Sequence, residues 1–402
     1  MSEPIDVSGQ PAGSVTGDGR FRLDLTGPGS HVSVTEPGRG NLVIGPAGMG
    51  RKADLHVAPD DAIHWPAFAP FATPAGSPWP RHIDYHGNDS GFAGWSAQRA
   101  IEQFTWAPVF ADTRRLDARM AKIQTLHIGL EAVTGRLEIT LPEETRLGLS
   151  GDLTRIGVAG ALPGLLSLHP TLGRRPGQAP YVLPDLGVLR GVSTLALYGQ
   201  PLAQAISLQG IERFPALEHL SLWGAFADWD ALARLPGLKG LEIRYAPDLA
   251  GLPALDTWPL LQRFIAFNVD EAAGKRLKSQ LKAREKARPW ADYTSVSKLR
   301  ASQWWQSEYG RPFAGWSARA AKSANTAYDA ALAALAEAVD VQAVQAAIAA
   351  FAAHFNGMKG IETSEREDIG EAVWQFSQHA RLAALGVSED QAQAWFDAVR
   401  DY

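Results

Sequence analysis

The chain has 402 residues, 46% of them hydrophobic and 20% charged, a composition typical of a globular protein large enough for two or three domains. It contains no cysteine, which excludes disulfides, thiol nucleophiles and thiolate zinc sites. The 38 basic and 43 acidic residues give a formal net charge of −5, which argues against nucleic acid or an anionic membrane as a partner.

The start of the chain, MSEPIDVSGQPAG, has neither the basic residues nor the apolar run of a signal peptide. No stretch of about 18 uncharged apolar residues, the length that a membrane span needs, follows it. The sequence therefore predicts a cytoplasmic protein that makes no contact with a membrane.

Residues 1–120 are predicted to form a β-rich region with many glycines and prolines. Short alternating runs such as FRLDLT, HVSVT and NLVIG are separated by turn residues, which is typical of short strands. The segment from 65 to 80 contains five prolines in 16 residues and predicts an irregular structure.

One glycine-rich segment of this region, GPAGMGRK at 45–52, follows a predicted strand and has the glycine spacing of a phosphate-binding loop. Arg51 stands where such a loop needs lysine, and Lys52 stands where it needs the hydroxyl that holds magnesium. The segment therefore predicts a glycine-rich hairpin.

His82, Asp84 and His86 alternate along the chain, so an extended backbone would place all three on one side. Imidazole and carboxylate groups suit zinc, iron or manganese, and these residues are the best metal-site candidates of the sequence. The other interpretation is a hydrogen-bonded polar loop without a metal.

Further strands are predicted from 121 to about 168, where apolar pairs such as Leu126 with Ile128 and Leu147 with Leu149 recur. They fit either degenerate turns of the repeat that follows or a β-sheet that caps it.

Between Val192 and Asn268 a phrase occurs four times, as VSTLALYG, LEHLSLWG, LKGLEIRY and LQRFIAFN, with periods of 25, 21 and 23 residues. The pattern resembles the leucine-rich repeats, and of these a degenerate bacterial type. The resemblance implies parallel strands stacked into a solenoid, because one copy cannot bury its apolar side alone. The family's asparagine at the ninth position is replaced by Gln200, Ala225, Ala246 and Val269.

The register of the four copies predicts which side chains lie on the concave face of such a solenoid. Tyr198, Trp223, Arg244 and Phe267 would form one row across adjacent strands, flanked by His219, Glu242 and Arg263. Aromatic residues and arginine are enriched at the energetic centres of interfaces, so this face is predicted to bind a partner. The alternative is that the N- or C-terminal region of the chain folds over it.

Residues 271–402 are predicted to be helical, beginning with a basic helix that Pro289 ends. This helix fits a solvated face, or contact with phosphates or an acidic partner. Ser364 with Glu367 and Ser388 with Gln391 predict two capping boxes. The hexapeptide FAGWSA occurs at 92–97 and again at 313–318, and predicts two docked tryptophans with Ser96 or Ser317 as a helix cap. The alternative is that the two copies form a paired ligand site.

Together these patterns predict an α/β leucine-rich-repeat solenoid with a parallel sheet at 121–270, after a β-rich region at 1–120 and before a helical domain at 271–402. The predicted function is non-enzymatic binding of another protein through the concave face, without a cofactor. An inhibitor or immunity-type protein that occludes its partner would be one such function. The alternative is a metal-dependent hydrolase centred on His82, Asp84 and His86, with the repeats as its recognition arm.

Overall fold

The computed structural model describes residues 3–38, 40–175 and 177–402, which divide into one unit up to residue 300 and a second unit, 301–402. The first unit contains the strands, and the second is helical. The predicted domain boundaries at 120 and 270 do not coincide with this division.

The strands run from β1 to β20 in chain order. They are β1 Ile5–Asp6, β2 Gly19–Leu23, β3 His31–Thr35, β4 Leu42–Gly45, β5 Leu55–His56, β6 His82–Tyr85, β7 Ile101–Trp106, β8 Thr113–Asp117, β9 Ile123–Leu130 and β10 Arg136–Leu141. They continue as β11 Arg146–Gly151, β12 Ile156–Gly160, β13 Leu165–Pro170, β14 Thr194–Tyr198, β15 Ile206–Ser207, β16 His219–Trp223, β17 Phe226–Ala227, β18 Gly240–Ala246, β19 Arg263–Asp270 and β20 Thr294–Arg300.

The α-helices are α1 Phe92–Gln98, α2 Glu271–Ala287, α3 Ser302–Tyr309, α4 Ala318–Glu337, α5 Val341–Phe355, α6 Thr363–Ser377, α7 Ala380–Ala384 and α8 Glu389–Asp397. Of these, α1 and α2 belong to the first unit and the other six to the second.

A sheet of 12 strands organises the first unit, in the order β20-β19-β18-β16-β14-β13-β11-β9-β7-β6-β4-β5. All of its pairings are parallel. The prediction of a large parallel sheet followed by a helical C-terminus is therefore confirmed. The first strand of this sheet begins at Leu42, and β1–β3, which precede it in the chain, form a separate three-stranded sheet.

Apolar side chains in register form two continuous ladders on one face of the sheet. One ladder contains Leu126, Leu147, Leu166, Leu195, Leu220, Leu241 and Phe264, and the other contains Ile128, Leu149, Leu168, Leu197, Leu222, Ile243 and Ala266. All of these side chains are buried. The two ladders share one face because side chains two residues apart point to the same side of a strand. The ladders form the core of the unit.

The strands β8, β10 and β12 form a second parallel sheet, in the order β12-β10-β8. In the chain, each of them follows one strand of the large sheet and precedes the next. From β7 to β13 the backbone alternates between the two sheets, and Leu137 pairs in register with Ile156. Because the backbone enters a new strand of one sheet or the other about every ten residues, the apolar pairs after residue 121 recur with that spacing.

The predicted glycine-rich hairpin at 45–52 is wrong, since Ala47–Lys52 forms a 3₁₀ helix between β4 and β5. Those two strands pair in parallel, and parallel neighbours need a crossover instead of a hairpin. In the proline-rich segment, Trp65–Phe68 forms another 3₁₀ helix, which buries Trp65 and Phe68.

The two FAGWSA copies adopt different structures. The first forms most of α1, where the Ser96 hydroxyl donates to the Ala93 carbonyl at 2.8 Å and does not cap the helix. In the second copy Ser317 is the N-cap of α4, accepting from the Ala320 amide. The predicted serine cap thus holds for Ser317 and is wrong for Ser96.

The second unit has its own apolar core, which includes Tyr328, Phe351, Phe355 and Phe376. The predicted cap at Ser388 is confirmed by its bond from the Gln391 amide at 3.2 Å. The other predicted box is displaced by two residues, since Glu362 and Glu365 form it at the start of α6.

Candidate functional site

The site candidate lies on the face of the 12-stranded sheet opposite the leucine ladders, which we call the open face. Tyr198, Trp223, Arg244 and Phe267 are paired in register on β14, β16, β18 and β19. They alternate with the buried ladder residues, so their side chains project from the open face. Trp223 keeps 37% of its surface exposed, a large value for a tryptophan.

Stacked rings connect these strands into an aromatic row, which consists of His169, Tyr198, Trp223, Tyr245 and Phe267. The imidazole of His169 lies flat on Tyr198, with 4.1 Å between ring centroids and 5° between planes. Tyr198 is 5.9 Å from Trp223, which stacks on Tyr245 at 4.9 Å and 12°. Tyr245 meets Phe267 edge to face at 5.9 Å. The row therefore crosses five adjacent strands.

Arg244 lies between two rings of the row. Its guanidinium carbon is 5.8 Å from the Trp223 ring and 5.7 Å from the Phe267 ring, within the range of cation–π attraction. Glu242, two residues earlier on the same strand, accepts a hydrogen bond from Arg244 Nε. The pair holds the guanidinium in place and balances its charge.

The other predicted residues flank the row. His219 is exposed, and its ring occupies the space that a side chain at Gly240 on the next strand would fill. Arg263 Nη1 lies 3.6 Å from a carboxylate oxygen of Asp292, and its guanidinium carbon is 5.9 Å from the Tyr293 ring. The structure thus places all seven predicted binding residues on one face.

Sequence reasoning missed two members of the row, for different reasons. His169 directly follows Leu168, so the alternation of its own strand already places it on the face opposite the buried leucines. Tyr245 gives no such signal, because its φ of +52° interrupts the alternation of β18 and brings a second consecutive side chain to the open face.

The stacking determines which part of each ring a ligand could reach. Tyr198 has His169 on one side and Trp223 on the other, and Trp223 has Tyr198 and Tyr245. Because neighbouring rings cover these π faces, the row presents ring edges to solvent. A nucleobase or a sugar ring needs an open π face for stacking, so the arrangement favours interdigitating side chains over such ligands.

Two histidines lie at one end of the row. The His127 ring of β9 lies over Gly148 of β11, where a side chain would collide with it. Burial lowers the pKa of His127, and burial together with His127 lowers the pKa of His169, while Glu131 acts in the opposite direction. Both shifts favour the neutral form of the imidazole.

The predicted metal residues also lie toward the open face but form two separate pairs. His82 Nε2 is 3.3 Å from Glu102, whereas His86 Nε2 is 3.3 Å from Asp84. The bond to Asp84 raises the pKa of His86 above its usual value. Within residues 3–38, 40–175 and 177–402, no three His, Asp or Glu side chains are arranged so that they could hold a metal ion.

Comparison with protein-family models, curated proteins and solved structures found no match to this chain. In the described part of the chain, none of the helices combines the length and the apolar character needed to cross a bilayer.

Proposed function

We propose that this chain is a non-enzymatic, protein-binding protein of the leucine-rich-repeat type, and that the aromatic row is the centre of its binding surface. The supporting observation is the row itself, which stacks across five strands with Arg244 between its rings. Tyrosine, tryptophan and arginine are the residues that dominate binding energy at protein interfaces.

The proposal that the repeats form a solenoid is supported by register. Consecutive copies pair in parallel, with equivalent leucines opposite each other on β14, β16 and β18. Periods of 25, 21 and 23 residues fit the length that leucine-rich repeats span. In such a solenoid the open face would be the concave one.

The row is also suited to a partner because it is already ordered. Five strands about 4.8 Å apart extend it to about 19 Å, the width of a small interface core. Stacked rings and a paired guanidinium lose little conformational freedom when a partner docks, and this raises affinity. An inhibitor or immunity-type protein, which must occlude its target firmly, is the form of this function that we favour.

The metal-dependent hydrolase gains no comparable support. Its three residues are divided between two ion pairs: His82 pairs with Glu102, and His86 pairs with Asp84. We therefore do not propose it as a second function.

Affinity capture from the native host with the whole chain as bait tests the proposal. Trp223→Ala combined with Arg244→Ala removes a ring that is 37% exposed and the cation beside it, and we expect the partner captured by the wild type to be lost. Ser221→Arg is a second variant, which obstructs the face beside Trp223 while every stacked ring stays in place.

The matched control is Met120→Ala with Arg51→Ala, which removes an exposed apolar side chain and an exposed arginine away from the row. It should retain the partner, and circular dichroism should show native folding in all variants. Retention of the partner by both the double variant and Ser221→Arg would refute the open face as the binding surface.

A further inference from the structure

The outer surface of α2 carries a row of lysines that the proposed function does not use. Lys275, Lys278, Lys282 and Lys286 are all exposed and are spaced three or four residues apart, so they lie along one side of the helix. We call them the lysine stripe. At 1.5 Å per residue it extends for about 16 Å.

The opposite side of α2 fixes the orientation of the stripe. Ala273, Leu277 and Arg284 are buried, and the first two join the core formed by the leucine ladders. The helix therefore packs on the core side of the sheet, and its lysines point outward on a different side from the aromatic row. The lysine stripe and the open face are therefore two distinct surfaces, and a ligand could bind to one without contacting the other.

The charges of the stripe are mostly unpaired. Lys275 has Glu271 as a partner, at 2.6 Å from Nζ. Lys278, Lys282 and Lys286 have no ion-pair partner among the residues that the structure describes. Glu285, the other acid of the helix, accepts from the backbone amide of Trp290 instead.

The spacing also works against the helix itself. Lys278 with Lys282 and Lys282 with Lys286 are like-charge pairs four residues apart, each destabilising by about 0.2–0.5 kcal/mol. The helix dipole favours a cation in the last turn, as at Lys286, but it offers no such gain at mid-helix Lys278. Lysine pairs that destabilise their own helix, with no interaction inside the protein to offset the repulsion, are expected where the surface serves binding.

We infer that the lysine stripe binds an acidic surface of another protein. Lysines present flexible point charges, and the stripe lacks the arginine forks that grip phosphates. The ring of Trp290, which follows the helix, lies against the buried guanidinium of Arg284 at 4.3 Å and is not free to stack on bases. Outside the helix acidic residues outnumber basic ones, which disfavours a long polyanion such as a nucleic acid.

Fluorescence anisotropy with the whole chain tests this inference, using a labelled 20-residue poly-L-glutamate and a labelled 20-nucleotide single-stranded DNA at physiological salt. We expect the peptide to bind at least as tightly as the DNA. In Lys278→Glu with Lys286→Glu the peptide affinity should fall by about tenfold or more. This variant should fold, since each new glutamate lies four residues from Lys282.

Lys52→Glu with Lys122→Glu is the control, with the same change in net charge at two exposed lysines elsewhere in the unit. It should leave the peptide affinity within about twofold of wild type, because charges beyond about 8–10 Å are screened. An equal loss in the control, or unchanged binding in the stripe variant, would overturn the inference. DNA bound more tightly than the peptide through the same lysines would assign the stripe to nucleic acid instead.

Discussion

At the scale of single residues, Arg284 shows how a charged side chain can be structural. It is 4% exposed, and its guanidinium donates to the carbonyls of Leu255, Trp258 and Leu261 at 2.6, 3.2 and 2.6 Å. These carbonyls belong to the loop before β19, where no strand partner satisfies them. Arg284 therefore fastens α2 to the loop beneath it, which the basic composition of the helix did not reveal.

Replacing Arg284 with methionine should destabilise the first unit by about 3 kcal/mol, because the buried carbonyls of Leu255 and Leu261 lose the guanidinium donor, while that of Trp258 keeps the Leu261 amide. The free energy of unfolding from urea titration, followed by tryptophan fluorescence, measures the change. Lys282→Met on the outer side of the same helix is the control and should change it by no more than about 0.5 kcal/mol. Equal effects of the two substitutions would show that the buried hydrogen bonds contribute nothing.

His169 should make stability depend on pH. Its pKa is lowered in the folded protein, so the unfolded chain takes up the proton more readily. The resulting stability is present above the ordinary histidine range and is lost as the pH falls through it. In His169→Gln the free energy of unfolding should vary less between pH 7.5 and 5.5 than in the wild type. Parallel pH profiles for the two proteins would contradict the assignment.

At the scale of elements, alternation was enough to predict the strands of the four repeats, because the period of two is a local property of each segment. It gave no signal for β20, which lies within the region predicted to be helical. It placed Leu195, Leu220 and Leu241 in one ladder and Trp223 and Arg244 on the other face. It failed at Tyr245, whose left-handed backbone depends on the strands beside it. Composition also failed to assign α2 to the first unit. The packing of Leu277 in the core of that unit determines the assignment, and the basic charge of the helix does not.

Gly224, directly after Trp223, is a position where the element requires glycine. Its φ is +106°, and a Cβ there would collide with the backbone of Gly199 on the neighbouring repeat. Gly224→Ala should therefore destabilise by about 2 kcal/mol or more and shift the thermal unfolding temperature downward.

Gly94 provides the matched control, because it lies in α1 with open space around its hypothetical Cβ and a negative φ. Gly94→Ala should be neutral or stabilise by up to about 1 kcal/mol, since alanine is the better helix former. If Gly224→Ala unfolded at the same temperature as Gly94→Ala, the close approach between repeats would not exist in solution.

At the scale of the whole molecule, the residues that the structure describes form two cores that share no member. The leucine ladders and the residues packed on them form one, and the second begins at Phe313. The sequence predicted a helical C-terminal part correctly but placed its start at 271, because both α2 and the later segments have helical composition. Only the side chains that each helix buries distinguish the two units.

A fragment of residues 301–402 should consequently fold by itself. It contains every member of the second core and is long enough to bury one. Circular dichroism should show a helical spectrum and a cooperative thermal transition.

A shorter fragment, 318–402, lacks Phe313 and Trp316, which pack on Phe355, and lacks the bond from Trp316 Nε1 to Asp368 at 2.9 Å. It should lose that cooperativity, and a non-cooperative transition in the longer fragment would show that the second core depends on the first unit.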